Sequence, residues 1–368
     1  GDLDGDGILE VVVGSDNNKV YAWKPDGTLM PGWPVTTGDS VRSSPALADI
    51  DGDGLDDFYI GGAHGATGQL FIQDTNGSFK ASSIPALETS EDMGCIFLKT
   101  DPNGLPKLYI ANGSNELTAT ASSTDQLFNN EGEARFTPSD LSLPNSSSSI
   151  VTAADYDGDG DQDLFVGGRV TPGNFSEVPT SYLLRNDGNS LTDVTEEIAP
   201  ELSKIGRVTA AIWTDYNNDG QLELAVVGEW MPLTLFIQQS GTFKAQKVPN
   251  SEGWWNSITG ADIDNDGDVD YIAGNHGLNS PFKASKSEPV TLICGDFDKN
   301  GQQDPLVFKY TDGMNAPFVN RDIFTSHMPA YNNAFYCFSQ YADATFNTLF
   351  DEQALSNASI NEVYELQS

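Results

Sequence analysis

The chain is poor in cations: 18 Lys and Arg stand against 54 Asp and Glu in 368 residues, for a formal net charge of −36. So anionic a surface repels phosphate, and neither nucleic acid nor an anionic membrane is an expected partner. Cysteine is nearly absent. Cys95, Cys294 and Cys337 are too few for a disulfide framework, and the odd count leaves at least one without an intramolecular partner. Only three histidines occur, none in a metalloprotease or nucleophile-elbow context, so little points to catalysis. No signal peptide or transmembrane segment is readable, and this stretch is not expected to insert into a membrane.

What the chain has in abundance is one nine-residue pattern, Asp-x-Asp-x-Asp/Asn-Gly-x-x-Asp/Glu, with Asn at position three or five of two copies. Six copies begin at Asp2, Asp49, Asp155, Asp215, Asp262 and Asp296, and they hold nearly half of all the acidic residues. Calcium takes six to eight oxygens at about 2.3–2.6 Å, and a short loop can supply them from alternate side chains plus one backbone carbonyl. Positions one, three, five and nine suit that role, with position seven offering its carbonyl. The candidate ligands are therefore Asp2, Asp4, Asp6, Ile8 and Glu10; Asp49, Asp51, Asp53, Leu55 and Asp57; and Asp155, Asp157, Asp159, Asp161 and Asp163. They continue with Asp215, Asn217, Asp219, Gln221 and Glu223; Asp262, Asp264, Asp266, Asp268 and Asp270; and Asp296, Asp298, Asn300, Gln302 and Asp304. Glycine at position six permits the sharp reversal. Asp-Gly also marks ordinary hairpin turns, but four or five carboxylates within nine residues repel one another unless a cation lies among them. Five or six calcium ions are expected. An EF-hand would need Glu at position twelve and flanking helices, whereas position twelve here is Val13, Ile60, Val166, Val226, Ala273 and Val307. Those residues sit in short β-branched or aromatic runs that read as strands.

The gap from Asp49 to Asp155 is twice the usual step and predicts a hidden seventh copy, with Lys99, Asp101, Asn103, Gly104 and Lys107 at positions one, three, five, six and nine. That copy has lost its metal, and two lysines stand where carboxylates belong. Each period holds about four strands, the signature of an all-β, seven-bladed β-propeller of four-stranded blades with calcium loops between the first and second strands. Small residues precede most loops: Ala48, Ala154, Thr214, Ala261 and Gly295. The predicted propeller spans 1–319. From 320 to 368 a helical excursion is expected, with Phe338, Tyr341, Ala342, Phe346, Leu349 and Phe350 at helical spacing, followed by a returning strand. Because the chain opens inside a loop and ends on a strand-like Val363-Tyr364-Glu365-Leu366, a fragment of something longer is expected.

Ala46-Leu47-Ala48-Asp49-Ile50-Asp51-Gly52-Asp53-Gly54 resembles the FG-GAP/VCBS repeats of integrin α-subunit propellers and of many bacterial surface proteins. The stretch from Gly274-Asn275-His276-Gly277-Leu278-Asn279 through Arg321-Asp322 to Tyr341-Ala342 resembles bacterial secreted proteins related to cartilage acidic protein, which often carry an ASPIC/UnbV domain not visible here. The resemblance implies a seven-bladed, calcium-stabilised propeller serving adhesion or ligand recognition. Millimolar calcium outside cells fills sites of modest affinity, so a secreted or cell-surface location is expected.

If the loops occupy one face, the connections at the other strand ends form the opposite face. Arg42, His64, Arg169, Trp230, Trp254, Trp255 and His276 fall there by offset from the loops and make a candidate face for a protein or carbohydrate ligand. Trp254 and Trp255 could equally begin a packed strand, and Trp230 fill a gap between blades. Two other readings stand: a carbohydrate-active enzyme resembling the polysaccharide lyases that are calcium-bearing propellers, and a purely structural spacer of a larger surface protein.

Overall fold

A computed structural model describes residues 1–366 except Arg42, His64, 86–90, 101–103, 114–123, 141–146 and 189. It is all-β, with few helices, and divides into two compact units. The units do not divide at the boundary expected at 319/320.

The first unit comprises 1–172, 179–205 and 238–243. It holds four antiparallel sheets, each a meander in chain order. The first has three strands, β1 (Val11–Ser15), β2 (Lys19–Trp23) and β3 (Val35–Thr36). Next come β4 (Ala46–Ala48), β5 (Asp57–Ile60), β6 (Gln69–Gln73) and β7 (Phe79–Ser83), then β8 (Glu91–Leu98), β9 (Lys107–Gly113), β10 (Gln126–Asn130) and β11 (Phe136–Pro138). The fourth is β12 (Ser148–Ala154), β13 (Asp163–Gly168), β14 (Tyr182–Asn186) and β15 (Leu191–Asp193), followed by the one-turn helix α1 (Thr195–Ile198).

Strands β5 and β13, each just after an acidic loop, are buried on both faces throughout, which explains their continuous apolar runs. Between sheets two and three the core is Tyr59, Leu70, Phe97, Leu108, Ile110 and Phe128; between three and four it is Leu98, Tyr109, Leu127, Leu164, Val166 and Leu184. Buried hydroxyl–carboxylate bonds cross both seams. Tyr59 donates to Asp92 at 2.9 Å, while Asp125 accepts from Tyr109 at 2.7 Å and from Ser148 at 2.9 Å.

The second unit comprises 173–178, 206–237 and 244–368. Strands β16 (Arg207–Thr214), β17 (Glu223–Met231), β18 (Thr234–Gln239), β19 (Thr242–Lys247), β20 (Gly253–Ala261) and β21 (Asp270–Asn275), which belong to it except for the 238–243 tip of the β18–β19 hairpin, join one sheet because the end of β17 also pairs with β20. The last sheet contains β22 (Val290–Gly295), β23 (Asp304–Thr311) and β24 (Met314–Pro317). Four short helices follow: α2 (Arg321–His327), α3 (Phe338–Ala342), α4 (Phe346–Leu349) and α5 (Glu352–Ser356). Then β25 (Ser359–Val363) returns to pair with β22. The helices stay because Phe324, Met328, Tyr341, Leu349 and Phe350 pack on Ile293, Phe297, Leu306 and Phe308 of that sheet.

Four-stranded sheets recur, but not uniformly. The first sheet has three strands, and its edge strand β1 leaves Val11 57% and Val13 45% exposed. After β21, residues 276–289 turn irregularly through Pro281 and a Ser285–Glu288 turn, and supply no third or fourth strand there.

Candidate metal-binding loops

Each acidic loop closes a hairpin in which position nine pairs with the residue just before position one. The pairs are Ala48 with Asp57, Ala154 with Asp163, Thr214 with Glu223, Ala261 with Asp270 and Gly295 with Asp304. Gly1 and Glu10 exchange the corresponding backbone bonds at 2.7 and 3.3 Å. Between these anchors the backbone goes left-handed twice. Position six is glycine at φ from 83° to 99° in all six loops. Position four is left-handed too, at Gly5, Gly52, Gly158, Asn218, Asn265 and Lys299. Glycine and asparagine tolerate that conformation best, so the Gly/Asn preference at position four was a readable signal that the nine-residue pattern passed over.

Two side chains then tie each loop. One oxygen of position one accepts the N–H of position six: Asp2 from Gly7, Asp49 from Gly54, Asp155 from Gly160, Asp215 from Gly220, Asp262 from Gly267 and Asp296 from Gly301. Position five accepts the N–H of position seven: Asp6 from Ile8, Asp53 from Leu55, Asp159 from Asp161, Asp219 from Gln221, Asp266 from Asp268 and Asn300 from Gln302. The loop is thus held open around its acidic side chains. In five loops one oxygen from each of three carboxylates lies within 4.8 Å of the others: Asp2, Asp4 and Asp6; Asp49, Asp51 and Asp53; Asp155, Asp157 and Asp163; Asp262, Asp264 and Asp270; Asp296, Asp298 and Asp304. Among the described residues the Asp215 loop gathers no such trio. There an amide replaces the third carboxylate, and Asn217 Nδ2 donates to Glu223 Oε1 at 3.4 Å.

Position nine has a second role. It accepts the N–H of position two in every loop, Leu3 to Glu10 at 2.8 Å and Tyr156 to Asp163 at 3.2 Å among them. Glu10, Asp57, Asp163 and Glu223 are buried. Asp57 and Asp163 spend their other oxygen on the N–H of Gln73 and Asn186, at 2.7 and 2.9 Å, in the third strand of the same sheet. The following sheet also holds a loop in place: Gln73 Nε2 donates to Leu3 O at 2.6 Å and Asn130 Nδ2 to Ile50 O at 2.8 Å.

Burial, joined by the charges of neighbouring aspartates, pushes Asp57 and Asp163 up to about 7 and Asp161 to about 6, and raises Asp51 and Asp157 as well. These are carboxylates in want of a counter-charge. The donor set is all hard oxygen, with no thiol or imidazole, which suits a divalent cation of the calcium type. Asp2 Oδ1, in the first trio, is buried with no hydrogen-bond partner, as a metal-facing oxygen would be. In the third sheet Leu98 pairs with Lys107, which sets Lys99 at position one and Lys107 at position nine; Asp101 and Asn103 lie outside the described residues.

The expected ligand face fares differently. Arg42 and His64 lie outside the described residues. Arg169 is half-buried, its N–H donating to Ser147 O at 3.4 Å. Trp230 and Trp255 are core residues, 7% and 8% exposed, and the Trp255 indole donates to Ser251 O at 2.8 Å. Trp254 is flanked by Trp230, with ring centroids 5.0 Å apart, and stacked on His276 at 4.5 Å. Trp254 and His276 are half-buried, and Trp230 and Trp254 meet where the end of β17 pairs with β20. Arg207, eight residues before Asp215, went unnoticed at the offset that had singled out Trp254. It is buried, with its guanidinium 4.6 Å above the Phe175 ring and one N–H on Phe175 O at 2.6 Å. In the first unit the strand ends away from the loops border a half-open cavity of about 780 Å³, lined by Thr37–Val41, Ile60–Ala63, Thr67, Gln69 and Glu91–Met93.

Three segments, 2–60, 103–166 and 215–273, match the model of the FG-GAP-like repeat family, each spanning or leading into an acidic loop. The chain carries FG-GAP-like repeats. With its four-stranded sheets, this is an all-β, propeller-like FG-GAP fold. The family match does not extend over 274–368. Solved structures similar to it include the Dos1 propeller, at 13% identity and TM-score 0.42 over 68% of this chain and 69% of that one. BBS1N in complex with ARL6DN is similar at 12% identity and TM-score 0.48, over 85% and 88%. The V. cholerae biofilm matrix protein Bap1 is similar at 14% identity and TM-score 0.37, over 88% of this chain and 58% of that one. No curated protein matches the sequence.

Proposed function

We propose that this FG-GAP chain is a calcium-stabilised extracellular module for adhesion or ligand binding, built as seven blades of which the third has lost its metal. The observation that carries the reading is the recurrence of a three-carboxylate cluster in five of the acidic loops, always with positions one and three and completed by position five or nine. Bound calcium would supply the positive charge that these clusters lack. The chain's own residues do the rest. Positions one and five fix the loop, and position nine anchors it to the buried second strand, so that ordering a loop stiffens the hairpin it closes. Its opposite ends, including the cavity of about 780 Å³, are then held in a constant shape for a protein or carbohydrate ligand.

Native mass spectrometry of the chain in calcium, with a thermal melt in calcium and in EDTA, tests this. Five or six ions and a large loss of melting temperature in EDTA are expected. One ion or none, with coincident melts, overturns the reading and leaves the loops as acidic turns.

A further inference from the structure

The first loop differs from the others in its neighbour. In the four sheets of the first unit, the residue that follows the strand next but one after the loop (β2, β6, β10 and β14) closes a turn, its N–H donating across it: Lys24 to Thr28 O, Asp74 to Ser78 O, Glu131 to Arg135 O and Asp187 to Ser190 O. At this shared position the second, third and fourth sheets carry a carboxylate, and the first carries an ammonium. Lys24 Nζ lies 2.6 Å from Asp4 Oδ2, in the trio Asp2, Asp4 and Asp6. Among the described residues no other carboxylate of the five trios is ion-paired. Asp2 Oδ1 meanwhile stays buried without a partner. The ammonium therefore satisfies one corner of the cluster and leaves another open.

We propose that Lys24 is an intramolecular competitor for the first loop: a divalent cation enters there only by displacing the ammonium from Asp4, which makes this the weakest of the five three-carboxylate loops. The proposal rests on the calcium reading above. Two like charges cannot share Asp4 at contact distance without mutual repulsion. Side-chain exposures of 35% for Lys24 and 32% for Asp4 leave the ammonium free to swing into solvent, so the loop would fill last as calcium rises. Such a loop acts as a threshold rather than a permanent staple.

The test titrates calcium chloride into the chain, into Lys24→Met and into Lys24→Asp, which installs the residue that the second and fourth sheets carry. Calorimetry gives stepwise affinities and native mass spectrometry the ion count, while Asp2→Asn identifies the first-loop ion by its loss. The expected result is a severalfold tighter first-loop site in Lys24→Met, tighter still in Lys24→Asp, with the other sites unmoved. An unchanged or weaker first-loop affinity, in variants whose remaining ions still bind, overturns the competitor role alone. If no variant binds calcium, the calcium reading itself fails and the proposal falls with it.

Discussion

At the scale of single residues, identical side chains in one loop do different work according to burial. Asp163 is fully buried and accepts the N–H of Tyr156 and of Asn186, whereas Asp159 is exposed and ties only its own turn. Asp163→Ala orphans two buried donors, each worth about 1–3 kcal/mol, so denaturant unfolding should show a loss of about 2–6 kcal/mol even in EDTA. Asp159→Asn should cost under about 1 kcal/mol in EDTA, as a surface change does, and show its effect only when calcium is present. Asp125 makes a pH prediction away from the loops. Burial lifts its carboxyl to about 7, against the opposing pull of bonds from Asn112 N–H, Tyr109 and Ser148. Because the folded value lies above the ordinary 3.8, this group's contribution is fully present below that pH and is lost as pH rises from about 4 to about 7. At about 1.4 kcal/mol per pH unit the loss approaches 4 kcal/mol. Urea unfolding in saturating calcium should find Asp125→Asn less stable than the parent at pH 4.5, with the gap narrowing by pH 7.5. A constant gap would show that Asp125 ionises at its ordinary pH.

At the scale of elements, sheets are joined by side chains reaching into the neighbouring loop. Asn130 sits at the end of β10 yet donates to Ile50 O in the second sheet's loop, and its own oxygen accepts Gly132 N–H. Asn130→Ala removes both bonds, and a destabilisation of about 1–3 kcal/mol is expected from chemical denaturation. The apolar spacing of 338–350 was legible as helix, and helices α3 and α4 lie there. What spacing could not say is that Phe350 would stack on Phe297 with ring centroids 4.0 Å apart, so that the helices belong to the core of the last sheet. Phe350→Ala should cost about 3–5 kcal/mol, with far-UV dichroism losing helix signal in the variant before strand signal. The burial of Trp230 and Trp255 was out of reach of spacing for the same reason. Offset from a loop says which end of a strand a residue occupies, while the neighbour that covers it comes from a strand tens of residues away. Trp230 and Trp254 meet through just such a pairing.

At the scale of the whole molecule, a net charge of −36 has to be contained without disulfides: Cys95, Cys294 and Cys337 are all free. Each loop filled at 100 times its Kd would add about 2.7 kcal/mol to stability, so several filled loops together would dominate the balance. A melt followed by tryptophan fluorescence should therefore shift upward steadily with free calcium, by several degrees per filled loop, and magnesium should substitute poorly because it prefers a rigid octahedron and sheds water reluctantly. Equal shifts with either ion would point to charge screening rather than coordination.

Sequence alone determined the loops and their recurrence, because the geometry of a nine-residue turn is local: glycine at position six and acidic residues at alternate places impose it wherever the chain goes. It also determined the register of the third sheet, where Lys99 and Lys107 fall on the repeat through the pairing of Leu98 with Lys107. Tertiary structure decided what proximity decides. It buried position nine of the second and fourth sheets under a third strand, turned Trp230 and Trp255 inward, and set Lys24 beside Asp4. Burial and charge pairing depend on distances between segments remote in sequence, and no local pattern encodes them.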